Sequence, residues 1–312
     1  MASDKYRIYE ILPITGGITM RGRLLFILLL AALTGCGKGE GTARSELAQM
    51  NIVYSDASFL EQALQGNTEA VGLFLDAGMN SEAKTNEGQT ALMAAALSNH
   101  LETVRVLIEK GANVDATNKF GGTALMIGSW KGHDEVVKLL LAKGAKTDPK
   151  DSRGMTALMF AAWDNRTESL RSLLEKGADP EARDSNEWTA LMRAAFKGHT
   201  ESAVLLLEKR ADVNAKTSAG DSALIWAADG GSAETVRVLL EHDADVSAKD
   251  GSGQTALFKA SAKGNSEIVR LLLAKGADLN ALDNNGKTAL DIAQDQQHHE
   301  TAQVLKDAAL AH

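Results

Sequence analysis

The sequence predicts an all-α fold built as a stack of short helix pairs, and three observations support this. The chain is 44% hydrophobic but only 4% aromatic and holds three prolines, which is typical of Ala- and Leu-rich helices. A short motif recurs at steps of 33 residues along most of the chain. Each recurrence precedes two helix-length segments that cannot bury their apolar faces alone, so the units must stack into a solenoid.

The recurring motif marks the start of the first helix in each unit. It reads Thr-Ala-Leu at Thr90, Thr123, Thr156, Thr189, Thr255 and Thr288, and Ser-Ala-Leu at Ser222. The hydroxyl predicts a helix cap, because it can accept from the free backbone N–H groups of the first turn. The slot that ends this helix holds Asn99, Gly132, Asn165, Gly198, Gly231 and Gly264. These residue types predict a left-handed backbone there.

A second helix completes each unit, as in "DEVVKLLLAKGA" at 134–145, and a Gly-Ala-Asp turn closes most units. From "NEGQTALMAAALSNHLETVRVLIEKGANVDA" at 86–116 onward, the chain resembles the ankyrin repeat family. The resemblance implies an ankyrin-repeat solenoid, with helix-turn-helix units and short hairpin loops, over 52–312. The predicted units are 52–84, 85–117, 118–150, 151–183, 184–216, 217–249, 250–282 and 283–312. The first and last are expected to act as caps.

The N-terminal segment has the layout of an export signal. Arg21 and Arg23 precede the apolar run 24–33, and the small residues at 34 and 35 follow. Ten apolar residues are too few to cross a bilayer, which takes about 20. We therefore expect a signal peptide over 1–35, with translation starting either at Met1 or at Met20.

The sequence "LTGC" at 33–36 resembles the lipobox of bacterial lipoproteins. The resemblance implies cleavage before Cys36, the only cysteine of the chain, and attachment of lipid to its thiol. The alternative is an incidental cysteine after an uncleaved apolar helix. Because Gly37 stands where an aspartate would favour the inner membrane, the resemblance implies the outer membrane, facing the periplasm or the cell surface. Residues 36–51 are expected to form a lipidated flexible tether.

Composition and motifs argue against several functions. The net charge of −8 disfavours nucleic-acid binding, which needs a dense basic face. His100, His133 and His199 share one slot of the repeat, so they indicate scaffold rather than a metal site, and no cofactor motif occurs. No nucleophile, base and orienting group recur in a recognisable catalytic pattern. An enzyme using Asp164, Arg193 or Asp229 stays open as an alternative of a different class.

The aromatic residues suggest a binding face. In the ankyrin family, partners usually dock on the concave side, which the hairpin tips and the first helices form. Of eight aromatic residues after Thr85, only Phe258 lies outside the corresponding slots. The other seven are Phe120, Trp130, Phe160, Trp163, Trp188, Phe196 and Trp226. We expect them to bind a partner protein, with Lys131, Arg193 and Lys197 as a polar rim. The alternative is that Phe160 and Trp226 are partly core and the rest pack between units.

Three substitutions within the repeat predict a softer segment. Glu187, Arg210 and Asp243 each replace a glycine found in most other units. At the helix ends, Arg210 and Asp243 must adopt a left-handed backbone that disfavours side chains. The segment 187–243 is therefore expected to be less stable than its flanks.

These observations lead to a functional hypothesis. We expect a non-enzymatic, lipid-anchored scaffold that is monomeric apart from an unidentified protein partner and touches the membrane only through its lipid. A more specific alternative is an immunity protein that neutralises a toxic effector such as a lipase. Exported proteins with similar repeats are also associated with peroxide resistance, which is a further alternative.

Overall fold

The computed structural model describes residues 38–311, so the predicted signal peptide and Cys36 lie outside the described residues. Within this range the chain forms 17 helices. In chain order they are α1 (Lys38–Gln49), α2 (Asp56–Gln65), α3 (Thr68–Asp76), α4 (Ala91–Leu97), α5 (Leu101–Glu109), α6 (Ala124–Lys131), α7 (Asp134–Ala142), α8 (Ala157–Trp163), α9 (Thr167–Glu175), α10 (Ala190–Lys197), α11 (Thr200–Glu208), α12 (Ala223–Gly230), α13 (Ala233–Glu241), α14 (Ala256–Ala262), α15 (Ser266–Ala274), α16 (Ala289–Asp295) and α17 (His299–Ala311).

The helices form two layers. From α2 to α16 each even-numbered helix contacts the next even-numbered one, and from α1 to α17 the odd-numbered helices do the same. Each unit therefore buries its apolar faces against its neighbours, as a solenoid requires. No helix in the described part of the chain is both long and apolar enough to span a membrane.

The predicted helix caps are present in six of the seven motif units. The Thr90 hydroxyl, for example, accepts from Met93 N at 3.3 Å. Thr255 is the exception, because its side chain makes no cap hydrogen bond. In the last unit Asp291 Oδ2 also accepts from Thr288 N at 2.8 Å, which completes a capping box. The hydrogen bonds from Thr288 lower the pKa of Asp291.

The left-handed turns are also confirmed. Every member of the slot that ends the first helix has a positive φ, from 54° at Asn165 to 81° at Gly231. Glu187, Arg210 and Asp243 have φ values of 63°, 67° and 63°. The backbone at these three positions therefore keeps the conformation of the glycines they replace, at a steric cost.

A row of histidines joins successive units. Nε2 of His100, His133, His199 and His298 lies 2.9–3.0 Å from a carbonyl oxygen near the end of the first helix in the preceding unit. Since a carbonyl only accepts, each ring donates its Nε2–H. Arg166 and Asn265 make equivalent contacts from the same slot. The row is thus a set of bonds between units.

The expected flexible tether is wrong for residues 38–49, which form α1. Ala43 and Leu47, four residues apart, are buried, and α1 contacts α3. The guanidinium of Arg44 lies 4.3 Å from the Tyr54 ring centroid. Asn51, two residues after the end of α1, has a φ of 59°. Ile52 N donates to Leu47 O at 2.9 Å, in the same way as Met79 N donates to Phe74 O after α3. Helix α1 therefore covers the open end of the stack as the second helix of a half unit.

Candidate functional site

The inner face, as we call it, consists of the even-numbered helices and the hairpins that precede them. It carries all seven predicted rings, but none is among the exposed apolar side chains of the described chain. Phe160, Trp163 and Trp188 are buried, with 2%, 6% and 5% of their surface exposed. Phe120, Trp130, Phe196 and Trp226 are half-buried. Phe160, Trp163 and Trp188 therefore lie mainly within the stack, and only the four half-buried rings keep surface for a partner.

Four of these rings form one cluster across three units. The ring centroids of Trp188 and Trp226 are 4.2 Å apart, and Phe196 lies 5.6 Å from Trp188 and 5.8 Å from Trp226. Trp163 joins the cluster 6.2 Å from Phe196. Such stacked and edge-to-face pairs stabilise packing beyond their buried area. Most of this aromatic surface therefore supports the stack, and the outer sides of Phe196 and Trp226 remain for a partner.

Arg193 was expected at the rim, and the structure corrects this. Its guanidinium carbon lies 5.2 Å from the Trp163 ring centroid and 5.1 Å from that of Trp188. It forms an ion pair with Asp184, and the two side chains are only 8% and 0% exposed. Asp184 also accepts from Trp188 N, which shapes the hairpin. Arg193 therefore joins α10 to its own hairpin.

Lys131 is half-buried and Lys197 is exposed, and each lies beside a ring of the inner face. The Lys131 ammonium lies 3.9 Å from the Trp130 ring centroid, and that of Lys197 lies 5.1 Å from Trp163. Neither forms an ion pair with a carboxylate of the described residues. Each cation over a ring face is attracted by the ring quadrupole and still has donors free for an acceptor.

A shallow pocket on the inner face was not predicted. It is lined by Gly122, Met126, Ile127, Trp130, Asp151 and Phe160. Gly122 occupies the fifth slot of its unit, where the other units carry Gln89, Met155, Trp188, Asp221, Gln254 and Lys287. The glycine lets the Asn118 side chain lie close to the hairpin backbone, since a Cβ at Gly122 would meet Asn118 Nδ2 at 3.0 Å. The isolated glycine in that slot was the sequence signal that could have located the pocket.

The hairpins stack through backbone hydrogen bonds, and this ladder is irregular around 217–221. Ser152 N donates to Phe120 O and Ser185 N to Arg153 O, both at 2.8 Å. Ser218 N instead donates to the Glu187 carboxylate, which lowers the pKa of Glu187. Burial raises the pKa of Asp221 in the same hairpin. The predicted softer segment therefore coincides with a change in how hairpins are joined.

The residues of the enzymatic alternative do not meet. Arg193 pairs with Asp184, Asp229 lies 3.5 Å from the Lys263 ammonium, and Asp164 ends α8. No hydrogen bond or ion pair within 38–311 joins any two of Asp164, Arg193 and Asp229. No group of three or more His, Cys, Asp or Glu side chains in this range is arranged to hold a metal ion.

A family model described as ankyrin repeats, in three copies, matches residues 59–151, 112–184, 158–250 and 224–310. Together these segments cover nearly all of the helix pairs α2 to α17. The chain belongs to the ankyrin repeat family. The all-α ankyrin solenoid expected from the sequence is thereby confirmed, and ankyrin repeats are generally protein–protein interaction modules.

A solved structure supports the same assignment. The crystal structure of the human ASB11 ankyrin repeat domain matches with 26% sequence identity and a TM-score of 0.65. The match covers 70% of this chain and 98% of the human domain. No curated protein sequence matches this ankyrin chain. Ankyrin repeat proteins are typically interaction scaffolds without enzymatic activity.

Proposed function

We propose that this ankyrin repeat protein is a non-enzymatic scaffold that binds a partner protein through its inner face. The observation that carries the proposal is the combination of half-buried rings and unpaired cations on one face of the stack. Trp130, Phe196 and Trp226 each keep part of their surface accessible, and Lys131 and Lys197 lie beside them without a carboxylate. Large aromatic side chains, Trp above all, are enriched at interfaces, where a polar rim surrounds them.

The experiment that tests this is crosslinking in envelope extracts with variants of the two lysines. Trp163 and Trp188 are unsuitable because truncating buried rings would disturb the fold itself. Lys131→Glu/Lys197→Glu changes only accessible cations of the inner face. We expect partners crosslinked by the wild-type protein to be lost in this double variant.

The matched control is Lys143→Glu/Lys176→Glu, which makes the same charge change at the ends of α7 and α9. Both control lysines are exposed and lie away from the inner face. Partners should be recovered with the control as with the wild type. Equal recovery from all three proteins would contradict the proposal.

The proposed place of action is the bacterial envelope, with lipid on Cys36 holding the protein at the outer membrane. Support comes from the order of charged segment, apolar run and lipobox in 20–36. Labelling of the full chain with a radioactive fatty acid tests this. Cys36→Ser should abolish the label and release the protein from membranes, and a variant that still carries label would refute the anchor.

A further inference from the structure

The unit 217–249 differs from its neighbours in where it places the acid of its inner face. Both flanking units begin with an aspartate, and a cation in their tenth slot pairs with it. In the unit 217–249 the first slot holds Thr217, the acid stands in the fifth slot as Asp221, and Trp226 takes the place of the cation. A ring therefore stands where the flanking units have the cation that neutralises their acid.

The repeat geometry places the Asp221 carboxylate beside the Trp226 ring. Side chains in the fifth and tenth slots contact each other in both flanking units. The contacts are the Trp188 ring centroid to the Arg193 guanidinium carbon, at 5.1 Å, and Gln254 Oε1 to Lys259 Nζ, at 3.0 Å. Asp221 and Trp226 occupy the same two slots of the unit between them, and both are half-buried. Trp226 Nε1 is buried, so the accessible part of the indole consists of carbon atoms.

The Asp221 carboxylate is partly desolvated but is not paired with a cation. It accepts from the Thr217 hydroxyl at 3.2 Å and forms no ion pair with a cation of residues 38–311. Burial raises the pKa of Asp221, and the neighbouring Asp250 adds to the shift. The Lys259 ammonium, which opposes the shift, is held by Asp250 at 2.7 Å. A cation brought from outside would supply the missing counter-charge.

The hairpin tips around this position carry small side chains. The corresponding slots of the unit 118–150 hold a lysine and a phenylalanine. The exposed tip residues here are Ser218 and Ala219 in the same unit and Gly251 and Ser252 in the next one. These tips leave room for a long side chain to approach Asp221 from the inner face.

We infer that an arginine or lysine side chain of the partner protein binds between Asp221 and the accessible side of Trp226. The cationic group pairs with the carboxylate, and the aliphatic stem lies on the carbon surface of the indole. Charge complementarity selects this occupant, because a half-buried carboxylate next to a ring attracts a cation and repels an anion. The inference rests on the proposed function and specifies one residue type of the partner.

The test uses the full chain and a library of random peptides displayed on phage. We expect selection on the wild-type protein to enrich peptides that carry Arg or Lys. Asp221→Asn removes the charge but keeps an oxygen that can accept from Thr217. Selected peptides should bind this variant at least about ten-fold more weakly. Replacing the peptide cation by Ala should weaken binding to the wild type equally and should have no further effect on binding to Asp221→Asn.

Asp229→Asn is the matched control, because it removes the same charge from the same unit at a residue that already pairs with Lys263 at 3.5 Å. It should weaken peptide binding much less than Asp221→Asn does. Thermal unfolding verifies that both variants are folded. Failure to enrich cationic peptides, or equal weakening by the two variants, would overturn the inference.

Two further outcomes separate this inference from the proposed function. If Asp221→Asn still crosslinks the envelope partner while Lys131→Glu/Lys197→Glu does not, the inner face binds a partner but Asp221 does not hold it. If sedimentation detects a dimer of the wild type that Asp221→Asn abolishes, a second copy of this chain supplies the cation. Either result contradicts a cationic side chain of the partner protein at Asp221.

Discussion

At the scale of single residues, the ion pairs made with the first residue of a hairpin form a graded series. The cations Arg193, Lys259 and Arg153 pair with the first carboxylate of their hairpins, and their side chains are 8%, 23% and 39% exposed. Removing one partner of a buried pair leaves an uncompensated charge, whereas exposed pairs are screened by water. Burial should therefore decide how much each pair contributes to the free energy of unfolding.

We predict that the cost of truncation follows this order. Arg193→Ala should lower the free energy of unfolding by about 3–5 kcal/mol, because Asp184 stays buried and charged. Arg153→Ala should cost less than about 1 kcal/mol, since that guanidinium is already partly solvated. Lys259→Ala should fall between them. Urea unfolding of the three variants measures the series, and equal losses would show that burial of the pair is not decisive.

The half-buried ring of His199 predicts a dependence of stability on pH. Desolvation lowers its pKa below the usual value of 6.5, while its hydrogen bond to the Trp163 carbonyl opposes the shift. The folded pKa thus lies below the unfolded one. The neutral ring contributes stability above about pH 6.5, and this contribution is lost as pH falls through the folded pKa.

His199→Asn tests this with a residue that the chain already uses in the same slot, at Asn265, where Nδ2 donates to Gly231 O at 3.2 Å. The bond between units can therefore persist without a titrating ring. We expect the wild type to lose more stability than His199→Asn between pH 7.5 and pH 5. All other titrating groups are common to both proteins, so parallel urea midpoints across that range would rule out the His199 contribution.

At the scale of elements, comparing the units with one another predicted the turns well, because the backbone conformation of a turn is set by steric contacts within a few residues. Any residue in the slot after the second helix must adopt a left-handed backbone, whatever its side chain. The repeat comparison left open whether Trp163 and Trp188 are buried, because their burial depends on Phe196 and Trp226 in the following units. Helix α1 was missed because its Gly39 and Gly41 disfavour a helix, and only Ala43 and Leu47 mark its buried side.

A reciprocal pair of substitutions measures the strain at these turns. Arg210→Gly should raise the free energy of unfolding by about 0.5–1 kcal/mol, since relief of the left-handed strain exceeds the added freedom of the unfolded chain. Gly177→Arg makes the reverse change one unit earlier. A Cβ at Gly177 meets no atom within 4 Å, so its loss of stability should reflect backbone strain alone. Changes of the same sign in both variants would contradict this explanation.

At the scale of the whole molecule, stability should vary along the solenoid. Units interact only with their neighbours, so strain at Arg210 and Asp243 and the altered hairpin contact at Ser218 act together. We predict faster backbone hydrogen exchange in 187–243 than in the flanking units 118–183 and 250–282. Arg210→Gly/Asp243→Gly should slow exchange in that segment, and exchange no faster than in the flanks would refute the prediction.

With lipid on Cys36, as proposed above, the half unit formed by α1 would determine how the solenoid stands on a bilayer. Helix α1 begins at Lys38, and only Gly37 lies between it and Cys36. Two residues of chain reach at most about 7 Å, so a lipid on Cys36 would hold the end of the stack close to the headgroups. The greatest distance that a unit can reach from the membrane would then be set by the number of units between it and α1. A partner that is itself anchored would therefore meet the units near α1 most readily.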